Sequence, residues 1–144
     1  MNSQISRRLK MLGMILFLLG LLTGLVIANF RNPRMGLSAH MEGILNGIFL
    51  VIAGIIWDEL RISSSLRTVT FITLMYGTYV NWMTTLFAAY LGTSNMTPIT
   101  GASFHGTNVQ EYLITGGFIS VGLTMLFSLI VIIYGLRKVN ITMV

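Results

Sequence analysis

The chain has 144 residues, of which 54% are hydrophobic and only 9% are charged. Because soluble domains carry about 25% charged residues, this composition excludes a water-soluble globular protein and indicates an integral membrane protein of one compact domain. The net charge of +5 does not indicate a nucleic-acid-binding protein, since the nine Lys and Arg residues stand between apolar runs. The sequence contains no cysteine, which excludes disulfides, thiolate-bound metals and cysteine nucleophiles.

Four apolar runs follow a polar and basic start. A signal peptide begins in the same way, but the first run is longer than a typical signal-peptide core, so we interpret it as a retained helix. Each run has the roughly 20 residues that cross a bilayer as a helix, which satisfies its own backbone hydrogen bonds in lipid. The predicted fold is therefore all-α, a single transmembrane domain over residues 1–144 with four helices in a bundle. The helices are expected over residues 11–29, 37–57, 68–91 and 112–136, with Trp57 at interface depth.

The distribution of basic residues predicts the orientation of these helices. The N-terminus, the second loop and the C-terminus hold seven Lys and Arg residues, whereas the first and third loops hold two. Because cytoplasmic segments carry the excess of positive charge, both termini are expected in the cytoplasm, and the third loop and the His40 end of the second helix on the opposite side. The seven are Arg7, Arg8, Lys10, Arg61, Arg67, Arg137 and Lys138.

His40 stands near the start of the second helix, where ionisable side chains are costly in lipid and often functional. At 100° per residue, four glycines lie on one stripe within roughly 60° of His40. Spacing alone leaves two interpretations of the stripe open: a seat for another helix, or the flat floor of a groove for a planar cofactor. Neutral imidazole binds haem iron, although a histidine bonded to a backbone carbonyl fits the sequence equally well. The glycines are Gly36, Gly43, Gly47 and Gly54.

Three other ionisable residues lie near the predicted spans. Glu42 is expected in the first turn of the second helix and Glu111 at the start of the fourth, where negative charge is favourable. His105 lies in the third loop, where it fits either a solvated side chain or a second haem ligand. The sequence has only four acidic residues, and they are scattered, so no carboxylate pair or familiar catalytic motif is present.

The third predicted helix carries polar groups at membrane depth. Asn81 lies near the middle of the span, on a small and polar face with Gly77 and Thr84. An asparagine at this depth needs a hydrogen-bond partner, which is either another helix or a substrate. A second face is bulky and includes Tyr76 and Tyr79.

The segments Ala39-His40-Met41-Glu42-Gly43-Ile44-Leu45-Asn46-Gly47 and Tyr76-Gly77-Thr78-Tyr79-Val80-Asn81-Trp82 resemble those of the hydroxylaminobenzene mutases. More distantly, the chain is similar to the styrene oxide isomerases. The similarity extends from the second to the fourth helix. Both groups are small four-helix enzymes of bacterial membranes, so the resemblance implies a multi-pass isomerase of the bacterial inner membrane.

The resemblance also implies a reaction and a cofactor. The mutases convert an N-arylhydroxylamine such as hydroxylaminobenzene to a 2-aminophenol, whereas the epoxide isomerases form an aldehyde. The latter are homotrimers that bind haem b through a histidine at the position of His40, which implies an iron ligand there. Their functional asparagines match Asn46 and Asn81. A tyrosine of the epoxide isomerases falls near Thr85 and an acidic residue near Tyr76 or Gly77. These departures weaken the epoxide interpretation and leave the mutase interpretation intact.

These implications define a hypothesis for the site. His40 is the iron ligand, and Gly43 and Gly47 form the floor of a haem groove near a subunit interface. Asn46 and Asn81 orient the hydroxylamine, with Tyr76 and Thr85 as further catalytic candidates. Tyr76, Tyr79 or Trp82 flank the aromatic ring. The alternatives are an epoxide-to-aldehyde isomerase and a membrane haem protein without enzymatic activity.

Overall fold

The computed structural model describes residues 2–101 and 103–137, which form helices and connecting loops without any strand. The five α-helices are α1 (Asn2–Leu25), α2 (Pro33–Ile56), α3 (Ser64–Leu91), the short α4 (Pro98–Gly101) and α5 (Asn108–Leu136). Single 3-10 turns at Ile27–Asn29 and Trp57–Glu59 follow α1 and α2. The all-α prediction is confirmed, and the four predicted helices correspond to α1, α2, α3 and α5.

The long helices begin earlier than the apolar runs do, because polar caps start them before the lipid-facing residues. The Asn32 side chain accepts hydrogen bonds from the backbone N–H groups of Arg34 and Met35, with Pro33 at the first helical position. Thr107 and Gln110 form a reciprocal capping box before α5. A hydrophobicity pattern therefore places a helix start several residues too late when the cap is polar.

The four long helices pack in sequence order. The α2 helix contacts α1 on one side and α3 on the other, and α3 in turn packs on α5. Within the described residues, α1 has no interface of comparable size with α5, so α1 and α5 stand at the two ends of the row. The α2 helix is thus the central element, with a separate face for each neighbour.

Trp57 anchors the packed end of this row. It is fully buried among apolar side chains such as Leu9, Leu50 and Leu74, and its position at interface depth stays a prediction. The buried Arg67 guanidinium donates to the carbonyl oxygens of Trp57 and Leu60. Trp57 is buried because the turn after α2 folds back onto α1, so the end of α2 is packed and not exposed.

Three segments of the described chain are long and apolar enough to cross a membrane: Gln4–Leu25, Pro33–Glu59 and Asn108–Leu136. Large apolar side chains remain exposed on the outer surfaces of α1, α2 and α5, as expected for a membrane protein. The α3 helix has the length of a span, at 28 residues, but carries more polar side chains. A fourth span and cytoplasmic termini remain predictions, and Lys138 lies outside the described residues.

Glu111 organises the long loop between α3 and α5. It is in the first turn of α5, as expected, but its buried carboxylate accepts backbone hydrogen bonds from Ser94, Asn95 and Gly106 at 2.9–3.1 Å. The buried Asn32 amide donates to the α4 carbonyl oxygens of Thr100 and Gly101. The loop is therefore folded onto the start of α2 by polar side chains from both flanking regions.

Candidate functional site

The glycine stripe of α2 packs directly on α1. A Cβ atom at Gly43 would lie 2.5 Å from the Gly20 Cα, and one at Gly47 would lie 2.6 Å from the Phe17 backbone nitrogen. Such distances allow only hydrogen at these positions, so the stripe brings the two backbones into contact. Helix packing, one of the two interpretations of the stripe, is what the structure shows. The groove predicted under His40 is filled by α1.

His40 lies at the edge of this interface and is half-buried. Its Nδ1 is 2.8 Å from the Gly20 carbonyl oxygen of α1, and a Cβ atom at Gly24 would lie 2.7 Å from the same nitrogen. Because a carbonyl oxygen only accepts, Nδ1 is the donor in this contact, so in the neutral ring the lone pair lies on Nε2. Histidines that bind metals are oriented by this kind of second hydrogen bond.

No cluster of three His, Asp or Glu ligands for a metal ion exists among the described residues. His105 is exposed in the loop, where its Nδ1 lies 3.3 Å from the Ser94 hydroxyl. The structure thus gives His105 a position that fits a solvated loop histidine. His40 is suited to a group that needs one protein ligand.

The opposite face of α2 is polar and meets α3. The Thr85 hydroxyl donates to Oε2 of Glu42 at 2.6 Å and lies 3.1 Å from the Asn81 carbonyl oxygen. The Asn46 side-chain amide donates to the Thr78 carbonyl oxygen at 3.4 Å. We call Glu42, Asn46, Thr78, Asn81 and Thr85 the polar cluster.

The prediction that Glu42 lies in the first turn of its helix is wrong. The α2 helix begins at Pro33, nine residues earlier, so Glu42 is in the third turn and its side chain is half-buried against α3. Its only hydrogen bond in the described chain is the one from Thr85, and it forms no ion pair there. A carboxyl group in this position is costly to bury, so Glu42 becomes a candidate functional residue.

The polar cluster joins three of the residues expected in the site. Because α2 and α3 run antiparallel, the register that sets Glu42 beside Thr85 also sets Asn46 level with Asn81. The Asn81 amide is half-buried and has no hydrogen-bond partner among the described residues. The sequence signal for Glu42 was its spacing of four from Asn46, which repeats in Asn81 and Thr85.

The structure does not bring the aromatic candidates to one place. The Tyr76 hydroxyl lies 2.8 Å from that of Ser120 on α5, and its side chain is 42% exposed. Tyr79 instead donates to the Leu12 carbonyl oxygen, and the Trp82 indole N–H donates to Thr23, both on α1. Tyr76 therefore lies apart from the polar cluster.

His40 and the polar cluster also point in different directions. His40 and Glu42 are two residues apart, about 200° around the helix, so one contacts α1 and the other α3. Within one chain, α2 thus separates the candidate iron ligand from Asn46, Asn81 and Thr85.

Comparison with known proteins identifies the family. The family profile described as styrene oxide isomerase matches residues 5–137. Hydroxylaminobenzene mutase HabB of Ectopseudomonas oleovorans is 44% identical over 95% of this chain and 84% of its own length. Hydroxylaminobenzene mutase HabA of the same organism is 37% identical over 88% of this chain and 94% of its own.

No solved structure matches the chain. The family match covers nearly all of the described helices, from α1 to the end of α5, and includes His40 and every member of the polar cluster. Both similar proteins carry the name of a mutase, which is a class of isomerase. We conclude that the chain is an isomerase that belongs to the styrene oxide isomerase family.

Proposed function

We propose that the protein is a membrane mutase that converts N-arylhydroxylamines, with hydroxylaminobenzene as the representative substrate, to 2-aminophenols. The observation that carries the proposal is the 44% identity with a hydroxylaminobenzene mutase over 95% of the chain. The proposal includes four membrane spans, cytoplasmic termini and the bacterial inner membrane. The polar cluster supports it by providing amide and carboxyl groups at an otherwise apolar helix interface.

The reaction is an internal rearrangement. The N–O bond breaks, a C–O bond forms at the ortho carbon, the ortho hydrogen leaves as a proton and the nitrogen gains one. No oxidant or reductant is consumed, and oxygen stays in the molecule when the departing hydroxyl is held beside the ring. The protein residues therefore have two tasks: to position the hydroxyl group beside the ortho carbon, and to exclude water that would replace it.

In this proposal, the polar cluster binds the hydroxylamine group. Asn81 is the first candidate, because its amide is free of partners in the described chain and provides both a donor and an acceptor. Asn46 lies level with it on α2, and its hydrogen bond to the Thr78 carbonyl oxygen is long, at 3.4 Å. The Asn46 amide can exchange this weak bond for one to a ligand. Thr85 stands one turn away and positions Glu42.

Haem b held by His40 is part of the proposal, and the residues fit it in part. The Nε2 atom of His40 would hold the haem iron, since Nδ1 bonds the Gly20 carbonyl oxygen. Gly43 and Gly47 do not fit a porphyrin floor, because α1 covers them. When bound, ferric haem supplies a Lewis acid that polarises the N–O bond.

A homotrimer with the cofactor near a subunit interface completes the proposal. His40 and the polar cluster lie on opposite sides of α2. They act on the same substrate molecule only if one protomer contributes His40 and a neighbouring protomer contributes the polar cluster. The exposed apolar surfaces of α1 and α5 leave room for contacts between protomers. The second candidate function is the isomerisation of an aryl epoxide to an aldehyde, which the name of the matching family favours.

Product analysis tests the reaction. Purified protein incubated with N-phenylhydroxylamine in ¹⁸O-labelled water is expected to form 2-aminophenol without the label. Label in the new hydroxyl group would refute intramolecular transfer. Formation of phenylacetaldehyde from styrene oxide, with no 2-aminophenol from the hydroxylamine, would establish the second candidate instead.

The absorption spectrum tests the cofactor separately. The purified protein is expected to show a haem band that is lost in His40→Ala. A colourless and metal-free preparation that forms 2-aminophenol would refute haem while leaving the mutase reaction in place.

A further inference from the structure

Glu42 presents a hydrogen-bond acceptor at the α2–α3 interface. Thr85, which is 1% exposed, donates to Oε2, while Oε1 has no hydrogen-bond partner among the described residues. The carboxyl group has no Lys, Arg or His partner in that part of the chain. Its burial is costly without an ion pair, and a ligand that donates hydrogen bonds would offset that cost.

Thr85 fixes which kind of group the interface presents. A threonine hydroxyl has one proton, and the 2.6 Å contact with Glu42 uses it. The same hydroxyl is 3.1 Å from the Asn81 carbonyl oxygen, a longer contact that shares its one proton, so the Thr85 rotamer is restrained from two sides. The pair therefore offers a carboxyl oxygen to a ligand and withholds the hydroxyl donor.

The two candidate substrate classes differ in whether they can donate hydrogen bonds to such a pair. An arylhydroxylamine has N–H and O–H donors, whereas an aryl epoxide of similar size has only an acceptor oxygen. If an aryl epoxide binds there, its oxygen and the Glu42 oxygen are both acceptors and both stay unpaired. Buried unpaired groups cost free energy, so the site discriminates strongly between the two substrate classes. The neighbouring Asn81 amide serves either class, so it does not discriminate between them.

We propose that Glu42, held by Thr85, is the specificity-determining residue that selects hydrogen-bond-donating arylhydroxylamines over aryl epoxides. This inference rests on the proposed function, because it assigns substrate selection to the same polar cluster. Three observations support the inference: the contact of Thr85 with Glu42, the free Oε1 of Glu42 within the described chain, and the position of Asn81 one helical turn from Thr85.

Glu42→Gln tests the inference with little change in shape. Glutamine keeps an oxygen for Thr85 and replaces Oε1 with an amide donor. We expect the affinity for N-phenylhydroxylamine to fall about ten- to hundredfold, because a buried donor of the ligand is left without its acceptor. The affinity for styrene oxide should hold or rise, so the ratio of the two affinities moves towards one. The KM for N-phenylhydroxylamine and the inhibition constant of styrene oxide against it report the two affinities of the purified protein. If no 2-aminophenol forms, calorimetry measures both affinities directly.

Two further variants make the result decisive. Glu59→Gln, at an exposed carboxylate just after α2, should leave the ratio unchanged. Thr85→Val leaves Glu42 in place but unanchored, and should lower the ratio by a smaller factor, about three- to tenfold. It supplies the test if Glu42→Gln does not fold.

The outcomes separate this inference from the proposed function. A wild-type protein that binds both ligands equally, or a ratio that both variants leave unchanged, overturns the inference. Parallel losses for both ligands would show a structural role and overturn it as well. Preferential binding of the hydroxylamine without formation of 2-aminophenol overturns the mutase proposal and leaves the selection by Glu42 supported.

Discussion

The two interfaces of α2 differ in almost every physical respect. Towards α1, the backbones meet at glycines, and a Cβ at Gly43 would be 2.5 Å from the Gly20 Cα. Towards α3, side chains fill the space, and the hydrogen bond between Thr85 and Glu42 crosses it. Lipid offers no hydrophobic drive for association, so close contact holds the first interface. The second contains the polar groups that a substrate could use.

This contrast shows what each face can tolerate. A glycine contact has no spare volume, and any added atom must separate two backbones. The polar interface has a free amide at Asn81 and a free carboxyl oxygen on Glu42 within the described chain, so it has unused hydrogen-bonding capacity. We expect substitutions at the first interface to change stability, and those at the second to change substrate binding.

The largest effect on stability is expected for Gly43→Ala. The new Cβ would meet the Gly20 backbone, which cannot move aside as a flexible side chain does, and such overpacking costs about 2–3 kcal/mol. Thermal unfolding in detergent measures the loss. Gly116→Ala on α5 is the matched control, because no atom lies within 4 Å of its added Cβ. Equal transitions for Gly43→Ala and the wild type would contradict the close packing of α1 and α2.

Gly24→Ala perturbs His40 and should lower the stability less than Gly43→Ala does. The added Cβ would lie 2.7 Å from His40 Nδ1, so the ring must rotate and lose its bond to the Gly20 carbonyl oxygen. Hydrogen bonds between membrane helices contribute about 1 kcal/mol, which sets the expected loss. If His40 binds haem, the haem content per protein should fall several-fold in the absorption spectrum. A stability loss as large as that of Gly43→Ala would show that His40 has no room to move.

The smallest effect is expected for Tyr76→Phe. This change removes the 2.8 Å contact with Ser120 at the partly exposed α3–α5 surface, at a cost of about 0.5 kcal/mol. Because Tyr76 lies apart from the polar cluster, the rate of 2-aminophenol formation should fall less than threefold. A loss of a hundredfold would return Tyr76 to the site and would require the substrate to reach α5.

Sequence patterns predicted the helices well because they depend on local properties. Apolar runs identified four long helices, and the 100° projection placed Gly43, Gly47 and His40 on one stripe. On the same projection Glu42 lies about 200° from His40, and the structure places it on the face towards α3. Helix starts were missed because Asn32 and Thr107, which are polar caps, lie outside the apolar runs.

The site was harder to predict because it depends on which helix covers which face. A glycine stripe accepts a helix or a flat cofactor equally well, and only the position of α1 distinguishes them. Tyr76 and Asn81 lie on the same helix, yet the crossing of α3 over α5 directs Tyr76 to Ser120. Glu42 was assigned to a helix terminus because the start of α2 was placed four residues late.

One paired experiment tests the division between the two faces of α2 most directly. Unfolding temperature and 2-aminophenol formation are measured on the same preparations of Gly43→Ala and Asn81→Leu. We predict that Asn81→Leu unfolds near the wild-type temperature and loses about a hundredfold in turnover, whereas Gly43→Ala loses stability but keeps turnover per folded molecule. Equal losses of both quantities in both variants, or full turnover by Asn81→Leu, would contradict it.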